Sequence, residues 1–248
     1  MTPEPYKIPP GFEDAKFDFA EATAPRQVYM VASTPRSGGT LLCRQLWASG
    51  IMGAPAEYFG FYSTFLRLVA RIKPDTQEEY VAGVTARRTS ANGVFGFKVH
   101  YDHVQYMVLT GLLHQFKQLR IISIVRQDLL AQAVSQARAL QTGQWNSLNR
   151  TQKAAPAYNA DLIRWCVQHL GDQRRGWQSF FELHKITPIE VDYDALAADP
   201  EGITNDVIAR VDPPKSPVSS VAMPNLERQR DTLNAEWLAR FKAESGTA

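Results

Sequence analysis

Residues Val28 to Leu42, VYMVASTPRSGGTLL, constrain this chain more than any other stretch. An apolar run rich in β-branched residues reads as a buried strand, the segment from Thr40 reads as a helix, and a Pro-Arg-Ser-Gly-Gly turn joins them. Gly38 and Gly39 allow a tight turn and a close approach to an anion, towards which the amides at the helix start present the positive end of the helix dipole. Pro35 leads into the turn, and Arg36, Ser37 and Thr40 add side chains that bind anions. An ordinary strand-to-helix turn accounts for the glycines but not for those side chains together. The pattern is a phosphate-binding loop. A nucleoside-triphosphatase loop would end in Gly-Lys-Ser/Thr; here Gly39 runs directly into Thr40 and the basic group sits inside the turn as Arg36. Such a loop suits a monophosphate-like or phosphosulfate group, and no run of carboxylates resembles a magnesium site, so no metal is expected.

Three further runs read as strands: Val94 to Val99, Arg120 to Val125 and Pro188 to Tyr193. Helices are predicted over Thr40 to Ala48, Ser63 to Ile72, Thr76 to Arg88, Asp102 to Phe116, Pro156 to His184 and Leu226 to Lys242. Another follows the third strand, where Leu129, Leu130, Ala133, Val134, Ala137 and Leu140 form one apolar stripe behind Asp128, a residue suited to a helix start. This alternation predicts an α/β fold with a mostly parallel central sheet flanked by helices, whose ligands bind beyond the carboxyl ends of the strands. Four prolines among the first ten residues mark residues 1–25 as an extended arm, leaving 26–248 as a single domain.

Charge and cysteine content narrow the function. With 27 basic and 25 acidic residues the net charge is +2, which argues against a nucleic-acid partner. Nothing approaches the roughly 18 apolar residues of a membrane span, and the first residues lack a secretory pattern. Cys43 and Cys166 are isolated from each other and read as small core residues, which fits a reducing, cytoplasmic setting. Arg126 ends the third strand and Ser135 lies two turns into the next helix, so both can face the ligand edge of the sheet.

The sequence resembles the nucleotide-dependent sulfotransferases, and among them the bacterial trehalose 2-sulfotransferase family. The resemblance is carried by STPRSGGTLL, GAPAEYF, GVFGFK, SIVRQDLLAQAVSQARALQTGQW, VDY and LERQRDTLNAEW, spread over most of the chain from Val28. It implies 3′-phosphoadenosine 5′-phosphosulfate as the donor and a hydroxyl of a sugar or glycolipid as the acceptor. The loop from Pro35 to Thr40 would then hold the phosphosulfate, with Arg36 near the oxygen that bridges phosphorus and sulfur. Arg126 and Ser135 would hold the 3′-phosphate, and Arg228, beside Gln229, would add a second grip on the donor. Glu57 matches the family's catalytic glutamate. Lys98 would hold an acceptor oxygen or offset donor charge, and His100 would face the acceptor; His100 and His103 are also rival bases. Arg138 and Trp145 are as readily packing residues as site residues, and His114, His169 and His184 carry no assigned chemistry. Dimers are common in that family, which leaves a homodimer open, and no apolar pattern marks an interface. Two other functions remain open from the residues: phosphoryl transfer on a related loop, and a binding module for a phosphorylated nucleotide or sugar without turnover.

Overall fold

The computed structural model describes residues 14–20, 24–60, 63–145, 155–213 and 232–246. Four parallel strands, β1 (Gln27–Ser33), β2 (Val94–His100), β3 (Arg120–Val125) and β4 (Ile189–Asp192), form one sheet in the order β2-β1-β3-β4. Strands of a parallel sheet are covered on both faces and therefore read as unbroken apolar runs; the central β1 is buried from Val28 to Ser33, and β2, though at the edge of the sheet, along its whole length. One core cluster joins Met30, Phe95, Phe97, Val104 and Trp177 on one side of the sheet. A second gathers Tyr29, Val31, Leu42, Ile122 and Val191 on the other.

The helices are α1 (Gly39–Ala48), α2 (Ser63–Ile72), α3 (Gln77–Arg88), α4 (Tyr101–Leu109), α5 (Leu129–Thr142), α6 (Ala160–Leu183), α7 (Tyr193–Ala198), α8 (Pro200–Val211) and α9 (Thr232–Ser245). Asp128 caps α5 by accepting from the amide of Ala131 at 2.8 Å, as its position predicts. The helix expected over Asp102 to Phe116 ends at Leu109, because Gly111 takes a left-handed φ of 72° and a 3-10 turn follows. The long helix expected from Pro156 starts at Ala160, where Asn159 supplies the cap. The segment between β4 and residue 213, for which the sequence pattern predicts no helix, contains α7 and α8, capped by Asp192 and Asp199 with Pro200 in the first turn. Of the last predicted helix, residues 226–231 lie outside the described residues.

Residues 14–19 fall within the stretch read as an arm, yet Phe17 is only 2% exposed, with its ring 4.6 Å from that of Trp47. Asp18 pairs with Arg71 and with the fully buried Arg88. A large aromatic side chain flanked by a buried ion pair fastens this part of the stretch to the domain. Among the described residues no helix is long and apolar enough to cross a membrane.

Candidate active site

Strand order places β1 between β2 and β3, so the chain leaves β1 towards one neighbour and returns on the other side. This is the point at which parallel α/β sheets open a crevice at their carboxyl ends. The loop that follows β1 enters that crevice. Arg36 has φ 63° and Gly38 φ 94°, both left-handed. Alternation of this kind curls the backbone so that successive amides converge on an anion. Gly38 also has no room for a side chain: an added Cβ would lie well inside contact with Tyr193 Cδ2. No side chain caps the first turn of α1, so its amides remain for a ligand. A non-glycine residue in this region costs on the order of 1–3 kcal/mol, and such strain concentrates at functional sites.

Arg36 Nε donates to Ser135 Oγ at 3.0 Å, and Arg36 Nη1 donates to the carbonyl of Trp145. The turn, the middle of α5 and Trp145, three residues past the end of α5, thus meet at one guanidinium. Burial, then the neighbouring Arg126, then Arg138 push Arg36 down to about 10, with Tyr193 opposing. Arg126 is 6% exposed and its guanidinium lies 5.0 Å from the centre of the Tyr193 ring. Crowded, buried cations repel one another and are relieved by a polyanion between them. Gln132, fully buried, donates to Thr34 Oγ1 at 2.8 Å and to the Pro35 carbonyl at 2.6 Å. Its own oxygen accepts from Arg174 at 2.7 Å, and Arg174 also donates to the Arg126 carbonyl. Sequence reasoning missed Gln132 and Arg174. The one signal in the sequence was a glutamine one turn before Ser135 on the buried side of α5.

On the other side of the loop stands the second half of the site. Lys98 and His100, two residues apart on β2, share a face, and the stretch carrying Glu57 runs along the edge of that strand, tied there by Lys98 N donating to the Ala56 carbonyl at 2.8 Å. Lys98 Nζ lies 2.6 Å from Glu57 Oε1 and 3.1 Å from Thr40 Oγ1. His100 Nε2 lies 3.4 Å from Glu57 Oε1, and His100 Nδ1 is 3.1 Å from Ser33 Oγ. Burial raises the Glu57 pKa, but Lys98 and then His100 outweigh it and hold the carboxyl well below the usual range. Lys98 is therefore a buried partner of Glu57, not a surface charge. His103 lies one helical turn into α4 with its ring 5.9 Å from that of His100; burial and then His100 push its pKa down.

The structure thus brings together Arg36, Ser37, Gly38, Gly39, Thr40, Arg126, Ser135, Glu57, Lys98 and His100. Arg228 lies outside the described residues. Cys43 and Cys166 are buried and free, and burial pushes the Cys43 thiol up to about 12. Among the described residues no group of three metal-ligating side chains occurs. A largely apolar cavity of about 190 Å³, walled by Phe59, Phe65, Val69, Tyr80 and Leu112, lies to one side, and none of the charged groups above lines it.

Comparison with known proteins decides the family. The model of the Stf0 sulphotransferases matches residues 28–244. The chain belongs to the Stf0 sulfotransferase family. Two trehalose 2-sulfotransferases, from Mycobacterium tuberculosis and Mycolicibacterium smegmatis, are each 29% identical to this Stf0 protein, covering 88% of its chain and 95% of theirs. The sulfotransferase domain from the curacin biosynthetic pathway shares the fold, with a TM-score of 0.51, 14% identity, and coverage of 92% of this chain and 99% of that one. Sulfuryl transfer is the function of this Stf0 chain.

Proposed function

We propose that the chain transfers the sulfuryl group of 3′-phosphoadenosine 5′-phosphosulfate in line to a hydroxyl of a sugar or glycolipid. The observation that carries this reading is the placement of Glu57 beside the anion-binding loop, with Lys98 between them: 2.6 Å to the carboxylate and 3.1 Å to Thr40. The loop from Pro35 to Thr40 holds the phosphosulfate, and Arg126 with Ser135 holds the 3′-phosphate. As the acceptor oxygen bonds to sulfur, the bond from sulfur to the bridging oxygen breaks and its electron pair leaves with the phosphate. Arg36 and the amides of α1 stabilise that growing charge more than the ground state. The hydroxyl proton passes to Glu57, and the products are a sulfate ester and the nucleoside 3′,5′-bisphosphate.

A carboxylate clamped by an ammonium is a weak base. Lys98 adjoins the loop, so negative charge arriving with the donor draws its ammonium away from Glu57 and leaves the carboxylate more basic. His100, 3.4 Å from the same carboxylate oxygen, helps to keep it oriented. No step requires a metal.

The test is Glu57→Gln, assayed with labelled donor and a panel of sugars and glycolipids. The variant should bind the 3′,5′-bisphosphate by calorimetry as the wild type does and transfer almost nothing. Wild-type turnover in that variant would remove Glu57 from its role.

A further inference from the structure

We propose that α6 carries a saccharide subsite for the acceptor, formed by Trp165, His169, Gln173 and Asp102; the proposal rests on the reading above that the acceptor is a sugar. α4 begins directly after His100, so Asp102 stands two residues beyond the imidazole that faces Glu57. Gln173, 3% exposed, donates from its amide nitrogen to Asp102 Oδ2 at 3.3 Å. The same nitrogen lies 2.8 Å from His169 Nε2. An amide nitrogen can only donate, so in this contact the imidazole nitrogen is the acceptor. His169 in turn lies flat against Trp165, ring centres 4.8 Å apart and planes within 9°.

These side chains recur every fourth residue and make one stripe on α6. Its position follows from the turns that come after: Trp177 donates to the carbonyl of Ser33 at the end of β1 at 3.0 Å, and Phe180 descends into the core. Residues 173, 169 and 165 therefore run the other way, beyond the strand ends, about 12 Å along the helix axis from Gln173 to Trp165. That reach matches more than one sugar ring.

The chemistry also fits a saccharide. Trp165 is 51% exposed although an imidazole and a buried glutamine fix its orientation. An indole held rigid at the rim of a crevice offers a face for the apolar C–H side of a pyranose at little conformational cost. Asp102, exposed at the Gln173 end of the stripe, accepts from hydroxyls. Gln173 Oε1 is buried with no donor among the described residues, a further acceptor that a hydroxyl can satisfy.

The experiment measures initial rates at saturating donor with trehalose and with methyl glucoside as varied acceptors. Trp165→Ala should raise KM for trehalose about tenfold while kcat changes less than twofold, and Trp165→Phe should recover most of the loss. The single-ring glycoside should be affected less, and Asp102→Asn should raise KM for both. Affinity for the 3′,5′-bisphosphate should not move. An unchanged trehalose KM in Trp165→Ala overturns the subsite and leaves the sugar reading intact. A wild type that sulfates no saccharide overturns both. Should Trp165→Ala fail to fold, Trp165→Phe and Asp102→Asn read the same split.

Discussion

The ammonium of Lys98 lies 2.6 Å from the carboxylate of Glu57, and both side chains sit at the carboxyl end of β2. The group read as the base is therefore held ionised by a partner that also touches the anion loop at Thr40. Removing the partner should weaken that hold. In Lys98→Met the Glu57 pKa should rise towards the ordinary value of about 4.3, and the acid limb of kcat against pH should move to higher pH. The rate at pH 7 should fall on the order of 10²-fold with the loss of a fixed cation beside the leaving phosphate. A pH profile with an unshifted acid limb would uncouple the two residues.

The same pair sets a stability difference whose sign is fixed. Because the folded pKa of Glu57 lies below its unfolded value, its contribution is complete above about pH 4.3 and drains as pH falls through the folded pKa. Glu57→Gln leaves Lys98 buried without its anion and should cost about 3 kcal/mol at pH 7. Denaturant titrations of both proteins across pH should show this gap persisting into the acid range and closing only below the usual carboxylate pKa.

Arg126 and Arg138 both repel the guanidinium of Arg36. A nucleoside 3′,5′-bisphosphate at a hundredfold excess over its Kd should stabilise the fold by about 2.7 kcal/mol, a rise in Tm of roughly 5–10 °C for a domain of this size. Differential scanning fluorimetry with Arg126→Ala should show less than half that rise if Arg126 grips a phosphate.

Gly38 combines a left-handed φ of 94° with the ring of Tyr193 where a Cβ would go. Gly38→Ala should therefore destabilise by more than the roughly 1–2 kcal/mol that the backbone conformation alone costs. Adding Tyr193→Ala should relieve the clash but not the backbone cost, so the double variant should regain stability without regaining the wild-type value. Equilibrium unfolding of the three proteins checks this.

Phe17 anchors residues 14–19 against Trp47 and Arg88. Phe17→Ala should cost about 3 kcal/mol in unfolding experiments while kcat, measured well below the Tm, holds.

The strands were legible in the sequence because strands buried on both faces leave contiguous apolar runs, and the turn after β1 because paired glycines between an apolar run and a helical one mark a tight turn, which Gly38 makes with a left-handed φ. Helix α7 was not, since six residues give little periodicity, and α8 was not although it is as long as α3; their caps, Asp192 and Asp199, with Pro200, were the readable marks. Glu57 sits in an irregular stretch where no period points to it, so only family resemblance could single it out. Its pairing with Lys98 arises from the edge of β2, a relation between residues 41 apart that no local pattern encodes. Gln132 and Arg174 were missed for the same reason: their partners lie 98 and 42 residues away.

Arg36 meets Ser135 across 99 residues of chain and the Trp145 carbonyl across 109. A nascent polypeptide that has left the ribosome only as far as β3 carries the glycine turn and Lys98 but neither Ser135 nor the Trp145 carbonyl. The Arg36 guanidinium is thus fixed only after the helix that follows β3 has docked against the turn, so an ordered Arg36 side chain reports that β1 and α5 have met in their native arrangement.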